Sequence, residues 1–504
     1  MDGEGLPNNM PKPHVGIVGA GMSGLRCADI LLSQGFKVTI LEARNRIGGR
    51  ICQSDELGYT VDIGPNWIHA SDSENPILKL ANETRTPLHH WNSRQLIYDS
   101  AGHKLPDYKT DRLSTLLWEI IEEAFTISAA ARDKDGGKSI PREESLYDFI
   151  KKKAADKLPD DEERQILIQM SEMWGAYVGE PVWKQSLRFA WMEECCGGEE
   201  VFVTSSYAAI LNDISKCARK WGKIVFDTKI VSVVAPPRGT PYERQVILAA
   251  DDGKEYSFDQ VVMTTPLGWL QKNTDCFNPA LPPRLSCAIH NLKLSQLEKV
   301  FITFPSAFWI SDRDPNNDTF PSYTNWLTPR YVRDINPHAW PQEMWNLAAF
   351  KGPSKHPTLL FYLYGDCSRY IVNSIHGKSK AEKFAFLQDF FSPYYSRLPN
   401  YDAKSRDCVP RAILATEWLK DDLCGNASYC NFQVGVEEAD VDVRTIRRGC
   451  PDRGLWFCGE HAAPFEECGT VAGAYLSGES VAKDIVKLYK GYATAEQDGT
   501  CRGI

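Results

Sequence analysis

The stretch that decides the fold is His14–Arg50, HVGIVGAGMSGLRCADILLSQGFKVTILEARNRIGGR. It opens with a short apolar run, Val15–Val18, passes through the glycine turn of residues 19–24, GAGMSG, and then enters a helical pattern. A strand, a glycine turn and a helix in this order form the phosphate-binding part of a dinucleotide site. The sequence therefore predicts an α/β fold with a dinucleotide site near its amino terminus.

Each glycine of the turn has its own task. Gly19 permits the tight turn, Gly21 leaves room where a pyrophosphate approaches the backbone, and Gly24 lets the helix pack on the strand. The pyrophosphate would lie at the start of the helix, beside Ser23, where free N–H groups and the helix dipole favour an anion. A glycine-rich surface turn is the alternative, and the flanking strand and helix argue against it.

A carboxylate follows at the expected distance. The second strand, Lys37–Leu41, ends in Glu42, which lies 18 positions after Gly24. An acid at this place accepts hydrogen bonds from the ribose hydroxyls of an adenosine. It favours an unphosphorylated ribose, so NAD or FAD fits better than NADP.

Composition excludes several classes of protein. The chain has 504 residues, 43% hydrophobic and 24% charged, which is enough for two or three domains, and its net charge is −9. The sequence has no basic footprint for nucleic acid, no 18-residue apolar run for a membrane span and no cysteine or histidine spacing for a metal site. Residues 1–14 lack the apolar core of a signal peptide and residues 501–504 are not a peroxisomal SKL ending, so we expect a cytoplasmic protein.

Residues 42–50, EARNRIGGR, distinguish between the two cofactors. This run resembles the flavin-binding signature of the flavin-containing amine oxidase superfamily, which has the fold of monoamine oxidases, polyamine oxidases and histone demethylases. The resemblance, closest to polyamine oxidases, implies a bound FAD contacted by Ala43, Arg44, Gly49 and Arg50. A glycine pair lets backbone N–H groups reach an anion, and a guanidinium offers a fork to phosphate.

A second signature lies near the end of the chain. Residues 455–475 read LWFCGEHAAPFEECGTVAGAY, a short strand, a turn and a helix rich in small residues. In the resembling family, the glutamate that matches Glu460 contacts FAD. The helix beginning at Gly469, Thr470 and Val471 aims its N-terminus at the flavin ring. Ile230 matches a residue that gives a backbone contact to the adenine.

The order of helical and strand patterns indicates two interleaved domains. Apolar residues at helical spacing between Arg112 and Phe125 predict a helix in a strand-free block. The resemblance implies an α/β fold, α+β overall. A Rossmann-like FAD-binding domain would comprise residues 1–90, 200–290 and 405–504, and a substrate domain of mixed sheet and helices residues 91–199 and 291–404.

Two residues are candidates for catalysis. Lys299, in the strand pattern LEKVFITF, matches the lysine that holds a water against flavin N5 in amine oxidases. Tyr429, in ASYCNFQVG, resembles the tyrosine that walls the amine cleft of polyamine oxidases. Because monoamine oxidases attach FAD through a cysteine just before this tyrosine, and Ser428 stands there in this chain, we expect noncovalent FAD. A solvent-facing lysine is the alternative for Lys299.

Three residues are candidates for substrate contact. His69 lies in NWIH, which resembles a turn beside the flavin, and Thr470 stands where monoamine oxidases have a tyrosine. Glu180 lies in GEP, which resembles a plant polyamine oxidase stretch whose glutamate binds a distal ammonium. A core histidine and an exposed loop glutamate are the alternatives. Most aromatic side chains of 301–345 would be core.

The resemblance implies an FAD-dependent amine oxidase. A hydride would pass from the carbon next to the amine nitrogen to flavin N5, water would hydrolyse the imine, and O2 would be reduced to H2O2. A polyamine or acetylpolyamine is the expected small-molecule substrate. An oxidase of specialised metabolism that acts on alkaloids or other bulky amines is the first alternative, and a non-catalytic flavin-binding partner protein is the second. The sequence leaves the oligomeric state open.

Overall fold

The amino-terminal segment forms the predicted strand, glycine turn, helix and second strand. The computed structural model describes residues 12–69, 75–92, 94–193, 200–241, 243–311 and 320–497, with backbone alone for 492–497. Residues 501–504, on which part of the expected location rests, lie outside this range. The fold is mixed α/β, as predicted.

Strands occur along the whole described chain and form several sheets. In chain order they are β1 (His14–Val18), β2 (Lys37–Leu41), β3 (Gln53–Ser54), β4 (Val61–Asp62), β5 (Trp67–Ile68), β6 (Leu88–His90), β7 (Gln95–Tyr98), β8 (Val201–Val203), β9 (Lys223–Val225), β10 (Ile230–Val234), β11 (Val246–Ala250), β12 (Glu255–Phe258), β13 (Gln260–Met263), β14 (Phe277–Asn278), β15 (Lys293–Leu294), β16 (Leu297–Thr303), β17 (Tyr323–Trp326), β18 (Gln342–Asn346), β19 (Thr358–Tyr364), β20 (Ala412–Ala415), β21 (Cys430–Asn431) and β22 (Leu455–Phe457).

The α-helices concentrate in the second quarter of the chain and around the parallel sheet. They are α1 (Met22–Ser33), α2 (Pro76–Glu83), α3 (Asp107–Asp135), α4 (Leu146–Lys157), α5 (Asp161–Ser171), α6 (Gly175–Val178), α7 (Ala208–Ile214), α8 (Lys216–Trp221), α9 (Leu267–Lys272), α10 (Pro283–Asn291), α11 (Gly365–Ile375), α12 (Lys380–Tyr395), α13 (Ala439–Arg448) and α14 (Val471–Gln497). Within the described residues, no helix combines the length and apolar character needed to cross a membrane.

A five-stranded parallel sheet carries the dinucleotide segment. Its order is β22-β13-β1-β2-β9, and every neighbouring pair is parallel. Successive residues of β1 are buried, which is the pattern of a parallel strand covered on both faces. Helix α1 packs against α14, so the two ends of the chain meet on one face of this sheet. The carboxyl ends of its strands meet at one edge, where open α/β sheets bind ligands.

The second large sheet has six strands in the order β20-β16-β19-β18-β17-β7. Its neighbours are antiparallel except β17 and β7, which are parallel. All seven residues of β19 are buried, because α11 and α12 pack on the sheet and its other face forms part of the protein interior. This sheet positions Lys299, which lies in β16 opposite Tyr362 of β19.

The helical block predicted after residue 91 is present. The helix expected between Arg112 and Phe125 extends over Asp107–Asp135 and ends at Gly136, whose φ of 70° is left-handed. Helix α4 begins at Ser145, whose side chain forms a capping box with Asp148. These helices pack around their own apolar core beside the six-stranded sheet.

One predicted boundary differs from the sheet pairing. The predicted substrate domain ends at residue 404, yet β20, Ala412–Ala415, pairs with β16 in the six-stranded sheet. The sheet therefore extends into the segment assigned to the FAD-binding domain. Strand β20 belongs to the six-stranded sheet because it pairs with β16, about a hundred residues earlier in the chain. The local sequence of β20 does not reveal this partner.

Candidate active site

A cavity of about 650 Å³ lies between the two large sheets. The carboxyl ends of β1, β2 and β13 reach it through Val18, Leu41 and Thr264. The six-stranded sheet contributes Lys299, and α14 contributes its first turn. Residues from the beginning, middle and end of the chain therefore meet at one site, at the edge of the parallel sheet where the glycine turn predicts a ligand.

The glycine turn has the geometry that its sequence predicts. Gly19 has a φ of 110°, and a Cβ on Gly24 would lie 2.2 Å from the carbonyl oxygen of Gly19, so close helix–strand packing requires a glycine there. A Cβ on Gly21 would meet nothing within 4 Å. Gly19, Gly21 and Ser23 line the cavity, whereas Gly24 lies behind them. The turn is thus open at the place where a pyrophosphate would approach.

Glu42 is held at the end of β2 by backbone hydrogen bonds. Its carboxylate oxygens accept from the N–H of Ala20 at 2.7 Å and from the N–H of Arg44 at 2.9 Å. Glu42 and Ala43 both line the cavity. The carboxylate is fixed beside the glycine turn, in the position from which an adenosine ribose is contacted.

The two predicted cofactor arginines are anchored by acids from the last quarter of the chain. Arg44 donates to both carboxylate oxygens of Asp421 at 2.7 Å. Arg50 donates to the carbonyl of Ser428 at 2.7 Å and to the Glu460 carboxylate at 2.9 Å. Burial acts to raise the pKa of Glu460, but the charges of Arg50 and His461 and the hydrogen bonds from Cys430 and Arg50 together lower it. These pairs bring both flavin signatures together at the cavity.

The remaining predicted cofactor residues also line the cavity: Gly49, Ile230, Gly469, Thr470 and Val471. Thr470 caps α14, because its hydroxyl accepts from the N–H of Gly473 at 2.8 Å and donates to the carbonyl of Glu467 at 2.9 Å. The N-terminus of α14 therefore faces the cavity with its positive dipole end.

Lys299 is buried at the cavity wall and is not the solvent-facing lysine of the alternative interpretation. Its side-chain nitrogen donates to the carbonyl oxygen of Gly64 and lies 5.6 Å from the centre of the Tyr362 ring. Burial lowers its pKa to about 7, and the nearby carboxyls of Asp62 and Glu298 act in the opposite direction. A lysine in this state can gain or lose a proton near neutral pH.

Tyr429 and His69 stand on the same cavity. The Tyr429 hydroxyl donates to the carbonyl of Tyr177 at 2.7 Å. His69 Nδ1 lies 2.9 Å from the Glu200 carboxylate. Burial acts to lower the pKa of His69, but Glu200 raises it above its usual value overall. The pair therefore favours a charged imidazole beside a carboxylate.

Glu180 is the predicted substrate residue that the structure does not bring to the cavity. Its side chain is buried and forms ion pairs with Lys184, at 2.8 Å, and with Arg369. It is not among the residues that line the cavity. Two basic partners neutralise this carboxylate, which explains its burial without a substrate contact.

Several residues of the cavity wall are not predicted by the sequence. Besides Glu42 and Glu460, three further carboxyl groups line the cavity, those of Glu193, Glu200 and Glu343, and no local motif identifies them. Many of the other unpredicted wall side chains are aromatic, among them Trp67, Trp118, Phe125, Trp174, Tyr177 and Tyr362. Of the aromatic residues noted between 301 and 345, Trp345 lines the cavity, while Phe301, Phe304, Phe308, Trp309 and Trp326 are core, as expected.

Comparison with known proteins identifies the family. The model of the family described as flavin containing amine oxidoreductase matches residues 22–486, most of the chain. The chain belongs to this family. It is an amine oxidoreductase that uses a flavin and acts on small-molecule amines with O2.

Similar proteins include polyamine oxidases and histone demethylases of plants. Probable polyamine oxidase 4 of Arabidopsis thaliana is 27% identical, over 94% of this chain and 87% of that protein. Polyamine oxidase 3 of Oryza sativa subsp. japonica is 26% identical, over 96% of this chain and 91% of that protein. Lysine-specific histone demethylase 1 homolog 2 of Arabidopsis thaliana is also 26% identical, over 96% of this chain and 60% of that protein.

A solved structure supports the fold. Wild-type putrescine oxidase bound to putrescine aligns with this amine oxidoreductase at a TM-score of 0.69, with 16% sequence identity, over 95% of this chain and 99% of that chain. At this identity the likeness concerns the fold alone.

The residues at the cavity fit a flavin dinucleotide. The turn is open at Gly21, and a carboxylate at Glu42 meets the requirement of a ribose. The guanidinium groups of Arg44 and Arg50 and the N-terminal end of α14 supply positive charge. Anion-binding and hydroxyl-binding groups are therefore arranged along one continuous wall.

Proposed function

We propose that this amine oxidoreductase oxidises an aliphatic polyamine or acetylpolyamine, releases H2O2 and holds FAD noncovalently. The observation that carries the proposal is a buried lysine, Lys299, in the same cavity as the carboxyl groups of Glu193, Glu200 and Glu343 and many aromatic side chains. Aromatic walls exclude water, and the carboxyl groups supply negative charge for a cationic substrate. The polyamine oxidases among the similar proteins support the same substrate class.

The chain's own residues would hold FAD along the wall already described. Glu42 would accept the ribose hydroxyls, and the glycine turn with Arg44 and Arg50 would face the phosphates. When bound there, the flavin would supply the redox chemistry, which is hydride acceptance from the carbon next to the amine nitrogen and reoxidation by O2. The segments around the parallel sheet, 1–90, 200–290 and 416–504, would form the FAD-binding domain.

Lys299 would accept and return a proton at the reaction centre. With a pKa lowered to about 7 by burial, its Nζ is partly neutral at physiological pH and can accept a hydrogen bond from water or take a proton. The hydrogen bond to Gly64 fixes the direction of the side chain. The role implied by the resemblance, a water held near the flavin, is compatible with this position.

Tyr429, Thr470 and His69 would position the substrate. The Tyr429 hydroxyl is engaged with the backbone of Tyr177, so the ring is held as a fixed wall. Thr470 caps α14, so its side chain is held at the cavity wall. His69 with Glu200 presents a polar, charge-paired edge to the cavity. These groups would orient the amine nitrogen so that the carbon beside it faces the flavin.

Glu180 was expected to contact a distal ammonium group of the substrate, but other acids are better placed for this contact. Because Lys184 and Arg369 neutralise Glu180 outside the cavity, we propose that the cavity carboxyl groups meet the cationic nitrogens of the substrate. Burial raises the pKa of Glu193 and of Glu343 to about 7, and a bound cation would favour their charged forms.

An oxidase for bulky or alkaloid amines is the second candidate, favoured by the aromatic cluster of Trp118, Trp174 and Tyr177 at the cavity. The test is steady-state peroxide release from a panel of spermine, spermidine, their acetylated forms, benzylamine and a cyclic tertiary amine. Preference for the polyamines supports the proposal. Preference for the cyclic amine contradicts it and favours the second candidate, and binding of FAD without peroxide from any amine would indicate a non-catalytic partner protein.

A further inference from the structure

A tyrosine stands beside Lys299 on the sheet wall of the cavity. The strand register places Tyr362 of β19 directly opposite Lys299 of β16. Residues opposite each other in neighbouring strands have their side chains on the same face of the sheet. Both side chains are buried and both line the cavity. Tyr362 is therefore placed to influence the surroundings of the lysine nitrogen.

The Tyr362 hydroxyl is satisfied both as an acceptor and as a donor. It accepts a hydrogen bond from the indole Nε1 of Trp67 at 3.0 Å and donates one to the side-chain oxygen of Asn66 at 3.0 Å. Asn66 and Trp67 are neighbours in the chain and both line the cavity. One hydroxyl thus ties the six-stranded sheet to two consecutive residues outside it.

The hydroxyl holds the same loop that supplies the acceptor of Lys299. This acceptor loop comprises residues 62–67. The side-chain nitrogen of Asn66 donates to the carbonyl oxygen of Asp62 at 3.1 Å and so closes the loop around Gly64. The carbonyl oxygen of Gly64 accepts the hydrogen bond from Lys299. Two opposed side chains of the sheet therefore bind one short loop.

The acceptor loop is also anchored on its other side. The backbone N–H groups of Ile63 and Gly64 donate to the carbonyl oxygen of Cys52. Among the described residues, the hydrogen bonds that link β16 and β19 to the acceptor loop are those of Lys299 and Tyr362. The distance between the lysine and its acceptor therefore depends on the tie that the tyrosine makes.

We propose that Tyr362 is a positioning residue for Lys299. Through Asn66 its hydroxyl holds the acceptor loop, so that the Gly64 carbonyl keeps the lysine nitrogen buried at the cavity wall. Loss of the hydroxyl would leave the Trp67 N–H and the Asn66 oxygen buried without partners. The loop would relax or water would enter to satisfy them, and either change brings the lysine closer to water. This inference rests on the proposed function, in which Lys299 exchanges a proton.

The protonation of Lys299 reports how well it is shielded from water. Burial lowers its pKa to about 7, and the carboxyl groups of Asp62 and Glu298 act in the opposite direction. A hydrated Lys299 would have a pKa nearer its ordinary value of 10.5, so the folded protein would keep the proton at pH 7 with little penalty. The stability gained at pH 7 when Lys299 is replaced by methionine therefore measures the shielding of the lysine.

The experiment measures the melting temperature of the flavin-loaded protein at pH 7 with and without Lys299→Met, in the wild-type, Tyr362→Phe and Asn66→Ala backgrounds. Tyr362→Phe removes the hydroxyl and keeps the ring beside the lysine. Lys299→Met should raise the melting temperature of wild type, and this gain should fall to about half or less in Tyr362→Phe. Asn66→Ala breaks the other end of the same link and should reduce the gain similarly. It keeps the test decisive if Tyr362→Phe does not fold.

Tyr364→Phe is the matched control. The Tyr364 hydroxyl, on the same strand, donates to the backbone carbonyl of Glu172 at 2.6 Å, and this tyrosine does not line the cavity. Its loss should lower stability but leave the gain from Lys299→Met as in wild type. An undiminished gain in Tyr362→Phe, or an equal reduction in Tyr364→Phe, would overturn the inference. Turnover is scored separately: a wild type that shows the expected gains and oxidises no amine contradicts the proposed function alone.

Discussion

The side-chain nitrogen of Lys299 donates a hydrogen bond to the carbonyl oxygen of Gly64, and Gly64 is itself packed on the backbone of Arg50. A Cβ on Gly64 would lie 1.9 Å from the carbonyl oxygen of Arg50. The lysine of the six-stranded sheet is therefore fixed against the loop that carries Arg50, a proposed cofactor residue. In the proposed function, this contact joins the substrate part of the cavity to the part that would hold the flavin.

Replacement of this lysine tests its proposed role in catalysis. Lys299→Met should lower oxidase turnover by about 100-fold or more while flavin content is kept, because the group that exchanges a proton is lost and the cofactor contacts remain. Peroxide release at saturating amine measures the effect, with Lys293→Met, an exposed lysine on β15, as the control. Full turnover by Lys299→Met would remove the assigned role.

The lowered pKa of Lys299 also predicts a dependence of stability on pH. Its folded pKa is about 7 and its ordinary value is 10.5, so between these pH values the unfolded chain binds a proton that the folded chain does not. Wild-type stability therefore gains from this group as pH rises through that window. The melting temperature of Lys299→Met should exceed that of wild type most at or below pH 7, and the gap should shrink toward pH 10.5. A gap that is constant with pH, as expected for Lys293→Met, would contradict the burial of an ionisable Lys299.

Two glycines of the first turn should respond differently to substitution. Gly21 has a φ of −78° and open space at its Cβ position, so Gly21→Val should fold normally but bind flavin poorly. Gly24→Ala should destabilise the fold itself, since its Cβ would lie 2.2 Å from the carbonyl oxygen of Gly19. The flavin absorbance and the melting temperature of each purified variant measure the two effects. Normal flavin content in Gly21→Val would argue against a pyrophosphate at this turn.

The hydroxyl of Tyr429 should matter less than its ring. Tyr429→Phe loses one hydrogen bond, to Tyr177, and should cost about 1 kcal/mol of stability and only a severalfold change in kcat/KM. Tyr429→Ala removes the wall and should reduce kcat/KM much more. Equal losses in the two variants would assign the effect to the hydroxyl.

The cofactor should leave the protein on denaturation. Ser428, not cysteine, precedes Tyr429, so acid precipitation is expected to release the flavin into the supernatant. Absorbance of the supernatant and of the washed pellet measures the partition. Flavin retained in the pellet would contradict noncovalent binding and would direct attention to Cys430 and Cys468, whose side chains line the cavity.

Local patterns predicted the first part of the fold well. The strand, turn and helix around Gly21 depend on neighbouring residues, and the structure confirms them. The membership of β20 could not be read in the same way, because its pairing with β16 depends on contacts between distant segments. Helix α3 was predicted from its apolar spacing but is longer, since Gly136 ends it.

In the site, too, residues in local motifs could be predicted, whereas residues placed by distant contacts could not. Lys299 and the cofactor residues lie in motifs, and the structure brings nearly all of them to one cavity. Glu200 and Glu343 lie in no motif, and they reach the cavity through a short segment beside His69 and through sheet register. Glu180 does lie in a motif-like run, yet its carboxylate forms an ion pair with Arg369, which lies on a helix far along the chain. Long-range partners therefore decide which acids are available to a substrate.

The most direct test of the account is anaerobic mixing of the flavin-loaded protein with spermidine while the visible absorbance of the flavin is followed. If the cavity oxidises polyamines, we expect rapid bleaching, recovery of the absorbance when air is admitted, and release of H2O2. Absence of bleaching by spermidine and by every other amine of the panel would contradict the central claim that this cavity oxidises polyamines.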